Sequence, residues 1–66
     1  MFDAQEIFEN VLALVGHEVE LGTRAEAKPL RGIIRNAMFD SLILDTGSPR
    51  VIRFEDLVYL NRAAKK

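Results

Sequence analysis

Two groups of residues in this 66-residue chain carry side chains able to do chemistry. The first is His17 with Glu18 and Glu20, in the stretch GHEVEL. An imidazole and two carboxylates are ligand types for a metal such as zinc. The stretch alternates apolar and polar residues, however, so Glu18 and Glu20 share one face of a strand and His17 points to the other. The reading is a histidine at a helix-strand junction, with no metal site. The second is Arg53 in VIRFED, residues 51 to 56, and, elsewhere in the chain, Phe39 in MFDS, residues 38 to 41. Here Arg53 offers a planar guanidinium that can stack on a base and donate hydrogen bonds. Its alternative role is a salt bridge to Asp40, Glu55 or Asp56 that pins two loops together. Phe39 offers a stacking face to a base; beside Met38 it equally fits a core or an interface.

Catalysis has weaker support. Ser41, His17 and Asp45 are the residue types of a nucleophile, a base and an orienting acid, but nothing in their spacing brings them together. The chain holds no cysteine, no phosphate-cradling glycine loop and no cofactor fingerprint. The expectation is a protein that is not an enzyme, with no cofactor and no small-molecule substrate.

The elements that position these residues follow from hydrophobic periodicity. DAQEIFENVLALVG reads as a helix over residues 3 to 15: Asp3 and Glu6 make a capping-box-like start, and Gly16 a stop. Ile7, Phe8, Val11, Leu12, Leu14 and Val15 form an apolar stripe that lies on a core. Period two then takes over. HEVELGT is a strand with Val19 and Leu21 inward, and LRGIIRNA is a second, in which Gly32 permits strong bending or close backbone approach. SLILDT is a third strand, closed by the turn residues Gly47, Ser48 and Pro49.

VIRFEDLVYL is harder to read. One ten-residue strand would place Glu55 and Asp56 awkwardly. A tight one-turn connection between RVIRF and LVYL lets the acidic pair face solvent and lets both halves join one closed sheet. In RVIRF, Ile52 and Phe54 then face one way, and Val51 and Arg53 the other. Tyr59 on the last strand is a barrel or interface residue whose hydroxyl needs a partner if buried. The count is one helix and five short strands, mostly β, in a single domain: helix 3 to 15, barrel 17 to 60 and a basic tail 61 to 66.

Composition bounds the rest. With 48% hydrophobic and 29% charged residues the chain is globular. A domain this small buries only about 60% of the surface its unfolded chain exposes, and without disulfides oligomerisation is the common remedy. The net charge of -1 gives no general attraction for phosphate, so any nucleic-acid contact must be local. No apolar run approaches the roughly 20 residues of a membrane span, and the acidic start MFDAQEIFEN lacks a basic leader segment. A cytoplasmic location, with no membrane partner, is expected.

A helix leading into five bent strands resembles the Sm-like (LSm, Hfq-like) superfamily, and in particular its small bacterial members of unknown function. GHEVEL, RGII and FD with SLILD resemble the first Sm motif, and VIRFEDLVYL the second. The resemblance implies a small, strongly bent five-stranded Sm-like (SH3-like) barrel capped by the helix. It also implies a homo-oligomeric ring closed by pairing of the fourth and fifth strands of neighbouring copies through Val51, Ile52, Leu57, Val58 and Tyr59. In RNA-binding members, loops after the second and fourth strands hold a base; Arg53 and Asp40 match motif positions, with Ser41 and Phe39 in the same loop. The chain departs from the pattern in two ways: no equivalent of the uracil-reading asparagine, and Phe54 where the motif has glycine.

Three functions are therefore expected in turn. The first is a homo-oligomeric ring binding short single-stranded RNA, uridine- or A-rich. The second is a structural or adaptor module that oligomerises or binds a protein and has lost RNA recognition. The third is a monomeric SH3-like binder, against which the amphipathic leading helix argues.

Overall fold

The structure, a computed structural model, describes residues 3–63. Asp3 opens the helix α1 (Ala4–Ala13) as its N-cap. Its carboxylate accepts from the backbone N–H of Gln5 at 3.1 Å and of Glu6 at 3.2 Å, two donors the first turn leaves without helical partners. The helix ends at Ala13, two residues short of the sequence-based boundary, and Gly16 turns the chain at φ +89°. There the Gly16 N–H donates to the Ile34 carbonyl at 2.8 Å and ties the helix end to the sheet.

Five strands follow: β1 (Glu18–Thr23), β2 (Leu30–Ala37), β3 (Ser41–Asp45), β4 (Pro49–Arg53) and β5 (Leu57–Arg62). Between the last two, Phe54–Asp56 makes a single 3-10 turn. VIRFEDLVYL is thus two strands joined by one tight turn, as its interrupted pattern predicts. The last strand runs to Arg62, so Asn61 and Arg62 belong to the sheet rather than to a tail; Lys65 and Lys66 lie outside the described residues.

Every strand pair is antiparallel, in the order β4-β3-β2-β1-β5. The sheet is not closed, which corrects the expected barrel. Closure would require β4 to pair with β5. Instead the Arg24 N–H donates to the Asp56 carbonyl at 2.9 Å, which fastens the 3-10 turn to the end of β1 and sets β5 beside β1 with Thr23 opposite Leu57. Bending is local, at register shifts between Gly22 and Thr23 and between Ile34 and Asn36.

The core gathers Val11 from α1, Val19 and Leu21 from β1, Ile34 from β2, Leu42 and Leu44 from β3, Ile52 from β4 and Phe54 from the turn, with Leu57 and Leu60 of β5 packed against it partly buried. The apolar stripe expected over residues 7 to 15 is wider than the face that is buried, because Leu12 remains 54% exposed and Val15, beyond the end of α1, 37%.

Two glycines serve close approach. A Cβ at Gly32 would run into the carbonyl oxygen of Asp45, and one at Gly22 would lie 2.5 Å from Cε2 of Tyr59. The obstacles differ in kind. Backbone paired in a sheet has little room to yield, so Gly32→Ala is expected to cost about 1–3 kcal/mol, the usual penalty of overpacking. The Tyr59 ring is partly exposed and can swing outward, while alanine regains about 0.5–1 kcal/mol over glycine in a strand. Gly22→Ala should therefore be the milder change, and denaturant midpoints of the two variants check that order.

Candidate functional site

The turn from β2 to β3 meets the end of β4 at one corner of the sheet. Ser41 stands opposite Arg53 in the β3-β4 register, and the Phe54 N–H donates to the Asp40 carbonyl at 3.0 Å. The Met38 N–H donates to the Ser41 carbonyl at 2.7 Å and closes the turn. Three of the residues singled out for nucleic-acid recognition, Asp40, Ser41 and Arg53, are thereby neighbours. Their side chains are unequally available. Ser41 is buried and donates its hydroxyl to the Asp40 carboxylate at 3.2 Å. The Arg53 side chain is 61% exposed and pairs with Glu55 at 3.1 Å. Of the three carboxylates open to Arg53 in the sequence, Glu55 is its partner.

Phe39 lies outside the core, 86% exposed. The tight turn projects it outward, and it lines an open groove of about 500 Å³ with Gln5, Phe8, Glu9 and Leu12 of α1. Arg53 borders a different cleft of about 170 Å³, shared with Thr23, Glu26, Arg50 and Asp56. Across it Arg50 of β4 meets Glu26 of the β1-β2 loop at 2.6 Å. The Thr23 hydroxyl is buried there with no hydrogen-bond partner among the described residues. Sequence reading missed this pair, since 24 positions separate its members and no local period links them.

The edge strands carry the residues expected to join neighbouring copies. Val51 on β4 is 63% exposed and Val58 on β5 62%. Ile52 points the other way, into the core, because successive strand residues alternate faces; at this edge it offers backbone only. Leu57 and Leu60 are half-buried and, with Val58, Tyr59, Ile7 and Leu14, line a groove of about 470 Å³ between β5 and α1.

Tyr59 packs over Gly22 and donates its hydroxyl to Glu20 at 3.1 Å. Desolvation, then the hydrogen bond and charge of Glu20, hold its phenol above the ordinary 10.0. A raised folded-state value means that the fold favours the neutral phenol, so this group's contribution to stability is present in full below pH 10.0 and is lost as pH rises through the shifted value. Ultraviolet titration should therefore show phenolate forming later than in free tyrosine, and Glu20→Gln should move it back toward the ordinary value.

The remaining candidates are dispersed. Glu18 faces Arg31 at 3.9 Å and Glu20 faces Tyr59, and no group of three metal-ligating side chains forms among the described residues. Asp45 accepts from the Gly47 N–H at 3.0 Å and from Arg35 at 3.1 Å, which together hold its carboxyl below the ordinary 3.8. Among the described residues neither Asp45 nor Ser41 is hydrogen-bonded to His17. No helix of the described chain is long and apolar enough to cross a membrane. Compared with family models, curated proteins and solved structures, the chain has no match.

Proposed function

We propose that this chain is a self-assembling Sm-like module serving as a structural or adaptor element, in which β4 of one copy pairs with β5 of the next. One observation carries the reading: both ends of a single antiparallel sheet are open, each edge strand displaying an exposed valine, with an apolar groove beside β5. Open edges present rows of unpaired N–H and C=O groups that favour pairing with another chain. A β4-to-β5 junction is head-to-tail, so repeating it closes a ring when the rotation allows. The order helix, five antiparallel strands and a 3-10 turn before β5 supports the Sm-like reading, as does the placement of β4 and β5 at the edges. Light scattering on the size-separated native particle is the test. A discrete oligomer is expected; a monomer at all concentrations would remove the assembly and favour an SH3-like single-copy binder.

The adaptor role is placed ahead of RNA binding because Ser41 is buried, Arg53 is paired with Glu55, and Phe39 lines the α1 groove. RNA remains the second reading, favoured by the exposure of Arg53. A surface ion pair contributes only about 0–1 kcal/mol, so Glu55 would yield the guanidinium to a base. Base stacking of this kind is worth about 1–3 kcal/mol. On this reading, Arg53→Ala lowers affinity for a short uridine- or adenine-rich oligonucleotide by about tenfold or more and leaves the oligomer intact. No binding by the unaltered oligomer at low salt would exclude it.

A further inference from the structure

The carboxylates of this protein fall into two sets. Glu18, Glu26, Asp45 and Glu55 each hold an arginine. The other six hold none among the described residues: Glu20 of β1 accepts from Tyr59, Asp56 lies in the 3-10 turn, Asp3 caps α1, Glu6 lies in the first turn of α1, Glu9 accepts from the neutral amide of Gln5 at 3.4 Å, and Asp40 accepts from Ser41. Four of the six belong to the segments that bound one groove: Asp3, Glu6 and Glu9 to α1 and its cap, and Asp40 to the turn between β2 and β3, with Glu9 on the groove wall. No lysine or arginine occurs in α1 or in residues 38–40; the described cations all lie from Arg24 onward, on the strands and the other loops.

That groove carries the most exposed aromatic ring of the chain's described residues. Phe39, Phe8 and Leu12 line a groove of about 500 Å³, with Gln5 and Glu9 on its wall. An apolar groove walled by a helix accepts an amphipathic segment whose anchors recur every three or four residues. Its acidic surround selects the sign of the partner, because complementary potentials steer encounter and like charges are rejected. The same field repels phosphate, so nucleic acid and anionic lipid are poor occupants of this face.

We infer that the groove between α1 and Phe39 is a docking site for a cationic amphipathic helical segment of a partner protein, with leucine-type anchors flanked by lysine or arginine. This gives the adaptor reading its partner and rests on that reading. The surface is formed by neither β4 nor β5, so docking and assembly fail separately.

The test titrates the whole protein, by fluorescence anisotropy, against a helical probe peptide with leucines at i, i+4 and i+7 and lysines beside them, and against the same peptide with glutamate for lysine. The lysine peptide is expected to bind with an affinity that falls as salt rises, and the glutamate peptide is not. Phe39→Ala removes a side chain that packs no core, and Glu9→Lys reverses the charge of the wall. Each is expected to weaken the lysine peptide about tenfold, with the circular dichroism and the native mass of the protein unchanged. Equal binding of the two peptides, or full binding by both variants, would overturn the assignment. So would loss of self-association in Phe39→Ala, which would make a second copy the occupant, or displacement of the peptide by a single-stranded RNA, which would make nucleic acid the ligand.

Discussion

Phe54→Ala is expected to remove about 3–5 kcal/mol of stability and to lower the melting temperature steeply. Phe54 is 1% exposed, the largest fully buried side chain, and it sits in the 3-10 turn that sends the chain from one sheet edge to the other. Truncating a buried phenylalanine costs about 3–5 kcal/mol, partly from lost transfer energy and partly from the cavity left behind. A native domain holds about 0.05–0.15 kcal/mol per residue, which over 66 residues is roughly 3–10 kcal/mol. The loss thus matches a large part of the whole. The turn would suffer with the core, because the residue whose ring is buried also donates its backbone N–H to the Asp40 carbonyl. Thermal unfolding followed by circular dichroism checks this. A variant melting within a few degrees of the parent would show that β5 is held in place by its pairing with β1 alone.

The second large effect concerns assembly. Replacing Val51 and Val58 together with lysine is expected to convert the oligomer into a monomer at concentrations where the parent is fully assembled. Both side chains are more than half exposed in the single chain, so the fold should survive. At a β4-to-β5 junction, however, each copy would bring an ammonium group to the contact from both sides, and edge lysines are a device by which natural sheets prevent such pairing. Leu12→Lys is the control: Leu12 is also 54% exposed but lies on α1, away from both edges, and this variant should remain assembled. Native mass by light scattering separates the outcomes. A double variant that stays oligomeric would place the contact somewhere other than these strands.

Much of the architecture was legible because burial leaves a period in the chain. Val19 and Leu21 alternate with Glu18 and Glu20, and the pair read as inward is buried; Ile52 and Phe54 alternate with Val51 and Arg53 as the period requires, but Ile52, expected at an interface, lies in the core. The helix start was legible for a local reason as well, since a cap needs only Asp3 and the next three residues. Even the break in VIRFEDLVYL could be placed, because an acidic pair inside an apolar strand has no good side to face.

Non-local relations were hidden. Periodicity says which face of a strand is buried and nothing about which strand lies beside it. The open order β4-β3-β2-β1-β5 depends on where the Asp56 carbonyl finds the Arg24 N–H. The same limit applied to the candidate site. Arg53, Ser41 and Asp40 could be grouped by resemblance, but burial of Ser41 and diversion of Phe39 to α1 depend on how the turn at 38–40 is oriented. The pairing of carboxylates was equally invisible, since Glu26 meets Arg50 across 24 positions. By itself, then, the amino-acid sequence determined the helix, the five strands, the inward face of β1 and the tight turn before β5, because each is governed by neighbours within a few residues. Only the tertiary structure decided that the sheet stays open at β4 and β5, and that, among the described residues, the carboxylates of α1 and Asp40 meet no arginine while Phe39 stands exposed. Those features depend on contacts between segments whose separation along the chain carries no energetic signature of its own.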